Sequence, residues 1–235
     1  MTGVTPEPAV PGPLVAVSPH LDDVVLSCAG LIASVPGATV ITVFAGYPPG
    51  RPESLSENIT SWDAASGFAL GDDVVAIRRD EDRAALAHLG AVPLWLDFLD
   101  SQYTTQPATV PVIAAGIASS LAGLSVETIA FPLGLSHTDH ERTHDACIWL
   151  LEEFPALATN WVAFIDVPYR ARFRPQAVQR LEHLGELGYD LEPLSFDLGD
   201  RKVAALAEYP SQLKALAADI GNAALPEECY LLRHR

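Results

Sequence analysis

Residues 15–28 read VAVSPHLDDVVLSC, and the order of residue types in them is unusual. A short apolar run, Leu14 to Val17, stops at Ser18-Pro19. His20, Asp22 and Asp23 follow at once, and an apolar pattern with helical spacing begins at Val24. The first run is too short for a helix, so the spacing predicts a strand over Leu14 to Val17 and a helix over Val24 to Ser34. A His and two carboxylates at a strand tip cost free energy unless water, an opposite charge or a metal ion satisfies them. The stretch thus supplies a βα unit and a candidate site at the carboxyl end of its strand.

The same alternation runs outward from it. Ala38 to Ala45 is β-branched and reads as a second strand. Ile59 to Phe68 reads as a short helix, and Asp72 to Leu89 as an amphipathic one stopped by Gly90. Val92 to Leu96 is a third strand, Val110 to Ala122 a helix, Ser125 to Phe131 a fourth strand and His140 to Phe154 a helix. Trp161 to Ile165 is a fifth strand, followed by a helix at Gln176 to Leu187, a strand at Leu191 to Leu198 and a helix at Arg201 to Leu216. The tail ECYLLRHR reads as a final edge strand. The pattern predicts an α/β fold, a Rossmann-like three-layer sandwich with a mostly parallel sheet between helices. Ligands bind such sheets at the carboxyl ends of the strands. Those of strands one to five carry, in turn, HLDD, the Pro/Gly-rich loop Gly46 to Glu57, DFLD, HTDH and DVPY. One domain over residues 1–235 is expected, with residues 1–12 a poorly ordered lead-in.

Composition narrows the class of function. The chain has 235 residues, 49% hydrophobic and 19% charged, which suits a folded globular protein. With 14 Lys+Arg against 30 Asp+Glu its formal net charge is −16, which argues against nucleic acid or an anionic membrane as partner. No apolar run approaches the roughly 18 residues of a membrane span, and the N-terminus lacks the pattern of a signal peptide, so a cytoplasmic location is expected. The cysteines, Cys28, Cys147 and Cys229, are odd in number, widely spaced and outside any CxxC, which points to small core residues. A homo-oligomer is left open.

The second polar cluster is His137-Thr138-Asp139-His140, at another strand end. His20 and Asp23 lie three residues apart in a turn entering a helix, and His140 supplies a second imidazole. Two His and a carboxylate, with a fourth position open, are the ligand set of a catalytic zinc ion. Such an ion lowers the pKa of water toward about 7. Asp22 points away from its neighbour Asp23 and suits a general base. His137 precedes the helix that His140 begins, near the ion without ligating it, where it can protonate a leaving amine or stabilise an oxyanion. Asp139 can hold the His137 imidazole in the needed tautomer.

The pairing of SPHLDD with HTDH resembles the PIG-L/LmbE-like zinc-dependent N-acyl deacetylases, which act mostly on N-acetylglucosamine-type substrates. The family's His-Pro-Asp-Asp stands here as His20-Leu21-Asp22-Asp23, with Leu for Pro, and its His-x-Asp-His as His137-Thr138-Asp139-His140. The resemblance implies one zinc ion, or another divalent transition metal, on His20, Asp23 and His140, with Asp22 as base and His137 as acid or oxyanion stabiliser. It implies an N-acylated small molecule as substrate. Weaker matches cover most of the chain. Arg78 with Glu81 resembles a substrate-side arginine helix, Asp100 the acid of the loop after strand three, and Asp166 to Tyr169 a DLPY strand end. Tyr209-x-Ser211-Gln212 resembles the end of the family's C-terminal helix. Substrate contacts at Arg78, Asp100 and Tyr169 follow from this likeness.

Other readings compete. Asp22 and Asp23 fit as helix caps. His140-Glu141-Arg142-Thr143-His144 matches HExxH, with Glu141 as base and Glu152 or Glu153 as a third ligand, a metallopeptidase arrangement. A small-molecule binding protein with a vestigial metal site is a further alternative. Trp62 reads as a packing residue rather than a sugar platform.

Overall fold

The computed structural model describes residues 10–48, 59–167, 169–196, 199–216 and 226–235. Most of the 46–57 loop, residues 1–9 of the lead-in, Pro168, and the end of the expected 191–198 strand lie outside the described residues.

Among the described residues the chain forms a seven-stranded sheet. Strand β1 is Leu14–Ser18, β2 Thr39–Thr42, β3 Val92–Trp95, β4 Thr128–Pro132, β5 Asn160–Phe164, β6 Tyr189–Leu194 and β7 Cys229–His234. Their order is β3-β2-β1-β4-β5-β7-β6. The first five are parallel, and β7 runs antiparallel to both neighbours. The chain winds outward from β1 through β2 to β3, then returns to place β4 on the other side of β1. This reversal opens a crevice beyond the carboxyl ends of β1 and β4, where a doubly wound sheet binds its ligands. HLDD and HTDH follow those two strands.

Helices α1 (Asp23–Ser34), α2 (Ser61–Ser66), α3 (Val74–Leu89), α4 (Val110–Leu121), α5 (Thr138–Glu153), α6 (Arg174–Glu186), α7 (Gly199–Ala207) and α8 (Pro210–Ala215) complete the order. The period of two along β1 sends Val15 and Val17 to one apolar cluster and Leu14 and Ala16 to the other. The first cluster includes Ile113, Ile117, Leu150 and Leu184, from α4, α5 and α6. The second includes Val24, Leu31, Leu86 and Ala205, from α1, α3 and α7. Each fully buried branched side chain contributes about 1.5–3 kcal/mol, which is what holds a charged site rigid between two strand tips.

Two expectations are corrected. The tail strand β7 is not an edge: it lies between β5 and β6, and Cys229, Leu231 and Leu232 are buried there. The outer position falls to β6, whose half-exposed alternation tolerates water better. The helix expected over Arg201 to Leu216 is two helices, broken where Pro210 cannot donate a backbone hydrogen bond.

Asp82 of α3 is fully buried and accepts hydrogen bonds from Trp95 Nε1 (2.7 Å) and the Tyr209 hydroxyl (2.9 Å). Burial pushes its carboxyl up to about 7, against the two hydrogen bonds that pull it down. The native state therefore keeps a proton that the unfolded chain releases near pH 4, and stability falls as pH rises between about 4 and 7, by up to about 1.4 kcal/mol per unit. Asp82→Asn removes this titration. Its stability relative to wild type is expected to improve with pH across that window in urea unfolding, and a flat or inverted difference would contradict the assignment.

Candidate metal centre

Asp23 opens α1 and turns its carboxylate back toward the strand end. Asp23 Oδ2 accepts the His20 backbone N–H at 2.8 Å and lies 3.3 Å from His20 Nδ1 and 3.2 Å from His140 Nε2. One carboxylate oxygen thus sits between two imidazoles from two strand ends. On its other side His140 is held by Asp166, at the end of β5: His140 Nδ1 donates to Asp166 Oδ1 at 2.6 Å, and Asp166 Oδ2 accepts from Gly134 N at 2.8 Å. A carboxylate on Nδ1 leaves the lone pair of His140 on Nε2, facing Asp23. That Nε2 is buried and makes no hydrogen bond among the described residues.

A lone pair and a carboxylate at this separation repel unless a proton or a cation lies between them. Burial alone would lower the pKa of His140, but Asp23 and Asp166 outweigh it and raise it. Burial likewise opposes protonation of His20, while the hydrogen bonds to Asp139 and Asp23 raise its pKa well above the usual value. Both directions report a negative field asking for positive charge. The donor set of two nitrogens and one carboxylate suits zinc. Ring nitrogens of His20, His137 and His140 lie within 4.8 Å of one another, as do ligand atoms of His20, Asp100 and Asp139.

Asp22 holds the N-cap position of α1 but makes no side-chain capping bond. Its carboxylate lines a cavity of about 180 Å³ shared with His20, Asp23, Arg78, Asp100, His137 and Tyr169. Burial, then the charge of Asp23, raises its pKa; burial would do the same to Asp23, but His140 and His20 pull that carboxylate down. The two neighbouring acids are thereby separated, one favouring a proton and the other staying ionised.

His137 caps α5, its Nδ1 accepting the Asp139 backbone N–H at 3.3 Å. This places the ring proton on Nε2. Burial and the neighbouring His20 and His140 lower its pKa, so the ring is a neutral donor. The turn before it is tight: Gly134 has φ +76°, where an added Cβ would meet His144 Cβ at 2.5 Å, and Ser136 has φ 66°. The Ser136 N–H is taken by Gln176 Oε1 at 3.0 Å. Asp139 does something different from holding His137. Its buried Oδ2 lies 3.3 Å from His20 Nε2 and accepts from Ser101 N at 2.9 Å, but is 3.9 Å from His137 Nδ1. Its carboxylate therefore orients His20, and only its backbone serves His137.

On the cavity's far side Arg78 pairs with Asp63 (3.0 Å), donates to Ser66 Oγ and stacks on Phe68. Asp63 also accepts the Tyr103 hydroxyl at 2.8 Å. Asp100 lies 3.9 Å from His20 Nε2 and holds Gln102 through two hydrogen bonds. Tyr169 meets His140 edge-on, centroids 5.1 Å apart. Trp62, read above as packing, is 38% exposed and lines the cavity instead.

The HExxH set is not assembled. His144 Nδ1 donates to the Pro132 carbonyl at 3.0 Å beside Phe131, and burial lowers its pKa to about 3. Glu141 accepts from Gln176 Nε2, and Glu152 and Glu153 are exposed. Reasoning from sequence missed the part played by Asp166, although a carboxylate ending an apolar strand was a signal for it. It also missed Gln102 and Gln212 in the cavity wall, which nothing local announces.

The family model described as PIG-L, GlcNAc-PI de-N-acetylase, matches residues 15–150. A search of the curated proteins returns no match. Among solved structures, Dbv21, the deacetylase of the antimicrobial A40926 pseudoaglycone, is 27% identical with a TM-score of 0.70, over 93% of this chain and 95% of its own. A triple mutant of Orf2, a deacetylase of the teicoplanin biosynthetic pathway, is 25% identical with a TM-score of 0.71, over 94% and 98%. The N,N'-diacetylchitobiose deacetylase of Pyrococcus horikoshii, at 16% identity and a TM-score of 0.53 over 94% and 83%, shares the fold. Among the described residues no helix is long and apolar enough to cross a membrane.

Proposed function

Because the chain belongs to the PIG-L family of de-N-acetylases, we propose that it removes an N-acetyl group from an amino sugar or sugar-like small molecule, with one zinc ion on His20, Asp23 and His140. The observation that carries this reading is Asp23 Oδ2 between two imidazoles, on one side facing the buried Nε2 of His140, which makes no hydrogen bond among the described residues. When bound, the ion supplies a Lewis acid for the amide carbonyl and acidifies a water molecule.

The chain's own residues do the rest. Asp22, uncommitted to the helix and with a pKa that burial raises to about 7, is a stronger base than an exposed carboxylate, and in its ionised form it takes the proton of the attacking water as the new C–O bond forms. His137 offers Nε2–H to the developing oxyanion. The C–N bond then breaks, the proton passes to the amine nitrogen, and acetate and the free amine leave. Asp139 and Asp166 keep His20 and His140 in their orientations. Arg78, Asp100 and Tyr169 line the wall that would receive the sugar, and Trp62 at its mouth gives a flat apolar surface to whatever the sugar carries. The likeness to a pseudoaglycone deacetylase and to a deacetylase of teicoplanin biosynthesis favours an amino sugar attached to a larger aglycone. The same proposal takes residues 1–235 as one cytoplasmic catalytic domain.

The test is acetate release from N-acetylglucosamine, an aryl N-acetylglucosaminide and a larger conjugate carrying that sugar. Release that is lost with chelator and restored by zinc is expected, fastest on substrates with an aglycone. Equal release by chelated and zinc-loaded protein would remove the metal from the reading.

A further inference from the structure

Helix α1, whose first turn carries Asp23 and whose N-cap is Asp22, is broken at Cys28 (φ −149°, ψ 34°). In a continuous helix the Gly30 N–H would donate to the Leu26 carbonyl, four residues back. Here two side chains from the far end of the chain stand in that gap. Lys202 Nζ donates to Leu26 O at 2.7 Å and pairs with Glu227 Oε1 at 2.9 Å, while Glu227 Oε2 accepts from Gly30 N at 2.9 Å. The pair's side chains are 5% and 1% exposed. A cation meets the carboxyl end of the first half-helix and an anion the amino end of the second, as the helix dipole favours. A side chain inserted into the ladder is a recognised cause of a kink.

The break touches both halves of the metal site. Leu26, whose carbonyl Lys202 holds, lines the cavity. Ser27 Oγ, released beside the kink, accepts the Val167 N–H at 3.0 Å. Val167 follows Asp166, which holds His140. Stability alone is a weak reason to bury such a pair, because well-packed apolar residues often replace a buried ion pair without loss.

We propose that Lys202 and Glu227 are positioning residues: by replacing the Leu26–Gly30 helical hydrogen bond they bend α1, aim Asp22 and Asp23 at the metal site, and set Ser27 where it fixes the Asp166 strand end. The readouts of metal affinity and rate rest on the function proposed above; the bend itself does not.

The experiment compares wild type, Lys202→Met, and the double variant Lys202→Met/Glu227→Met. It measures zinc affinity by chelator competition, kcat and KM for acetate release, thermal midpoint of chelated protein, and hydrogen exchange at Gly30. The single change strands a buried carboxylate and lowers midpoint and rate together. In the double variant the midpoint recovers and Gly30 stays protected, since the direct helical bond can re-form. Its zinc affinity nevertheless falls about tenfold or more and its kcat about 100-fold, with KM little changed. A double variant with wild-type zinc affinity and kcat, or with α1 still bent in its crystal structure, overturns the proposal. Should it fail to fold, Lys202→Arg keeps the charge but not the single-point geometry, and wild-type zinc affinity there overturns it equally. Wild-type protein that neither binds zinc nor releases acetate would instead sink the functional reading, leaving the bend to be judged by Gly30 exchange and the crystal structure.

Discussion

Asp22→Asn is expected to lower kcat on an N-acetyl amino sugar by about 10²- to 10⁴-fold while the protein keeps its metal ion. Asn has the same shape and cannot take a proton at any working pH. Asp22 makes no capping bond whose loss would unfold α1, so little stability is at stake. The neighbouring acid would behave differently, because Asp23 is tied to the His20 backbone and faces both imidazoles. Initial rates and metal content measured on one preparation separate the two roles. Glu141→Gln serves as the control, since Glu141 is engaged with Gln176 and is expected to be dispensable for rate. A normal rate in Asp22→Asn together with a dead Glu141→Gln would move the base to the HExxH segment.

Asp166→Asn is expected to weaken metal binding by about 10- to 100-fold, read by chelator competition. The carboxylate accepts on both oxygens, from His140 Nδ1 and from Gly134 N. An Asn has one acceptor and one donor group there. With its oxygen toward His140 it sets a donor against the Gly134 N–H. With its amide nitrogen toward His140 it drives the imidazole proton onto Nε2, the atom that faces Asp23. Either arrangement harms the site, and neither touches the ion directly. An unchanged affinity would mean that the His140 tautomer does not depend on Asp166.

The fold was legible because each element carries its own signal. Leu14 to Val17 ends in Ser-Pro, Gly90 stops α3 with φ 72°, and strand and helix periods alternate. Both halves of the proposed metal site stand out for the same reason: each is a polar cluster placed abruptly after an apolar strand. What escaped is what distant segments decide. Ser27 and Gly30 around Cys28 permit a kink but do not specify one, for no Pro interrupts the run and the two residues that stand in the break are at 202 and 227. The carboxylate of Asp139 was assigned to the nearer imidazole in sequence, His137, whereas the fold brings His20 to it. The tail was expected at the sheet edge because strand order is not encoded in strand composition; the buried Leu231 and Leu232 are met on both sides by neighbours that only the tertiary structure supplies.

Which side chains hold the ion is tested most directly by metal content, read by mass spectrometry after dialysis against a weak chelator. Wild type is expected to retain one zinc ion per chain. His20→Ala, Asp23→Ala and His140→Ala are each expected to lose it, while Asp22→Asn, Glu141→Gln and His144→Ala keep it. Retention of the ion by His140→Ala or Asp23→Ala, or its loss from Glu141→Gln, would contradict the site described above.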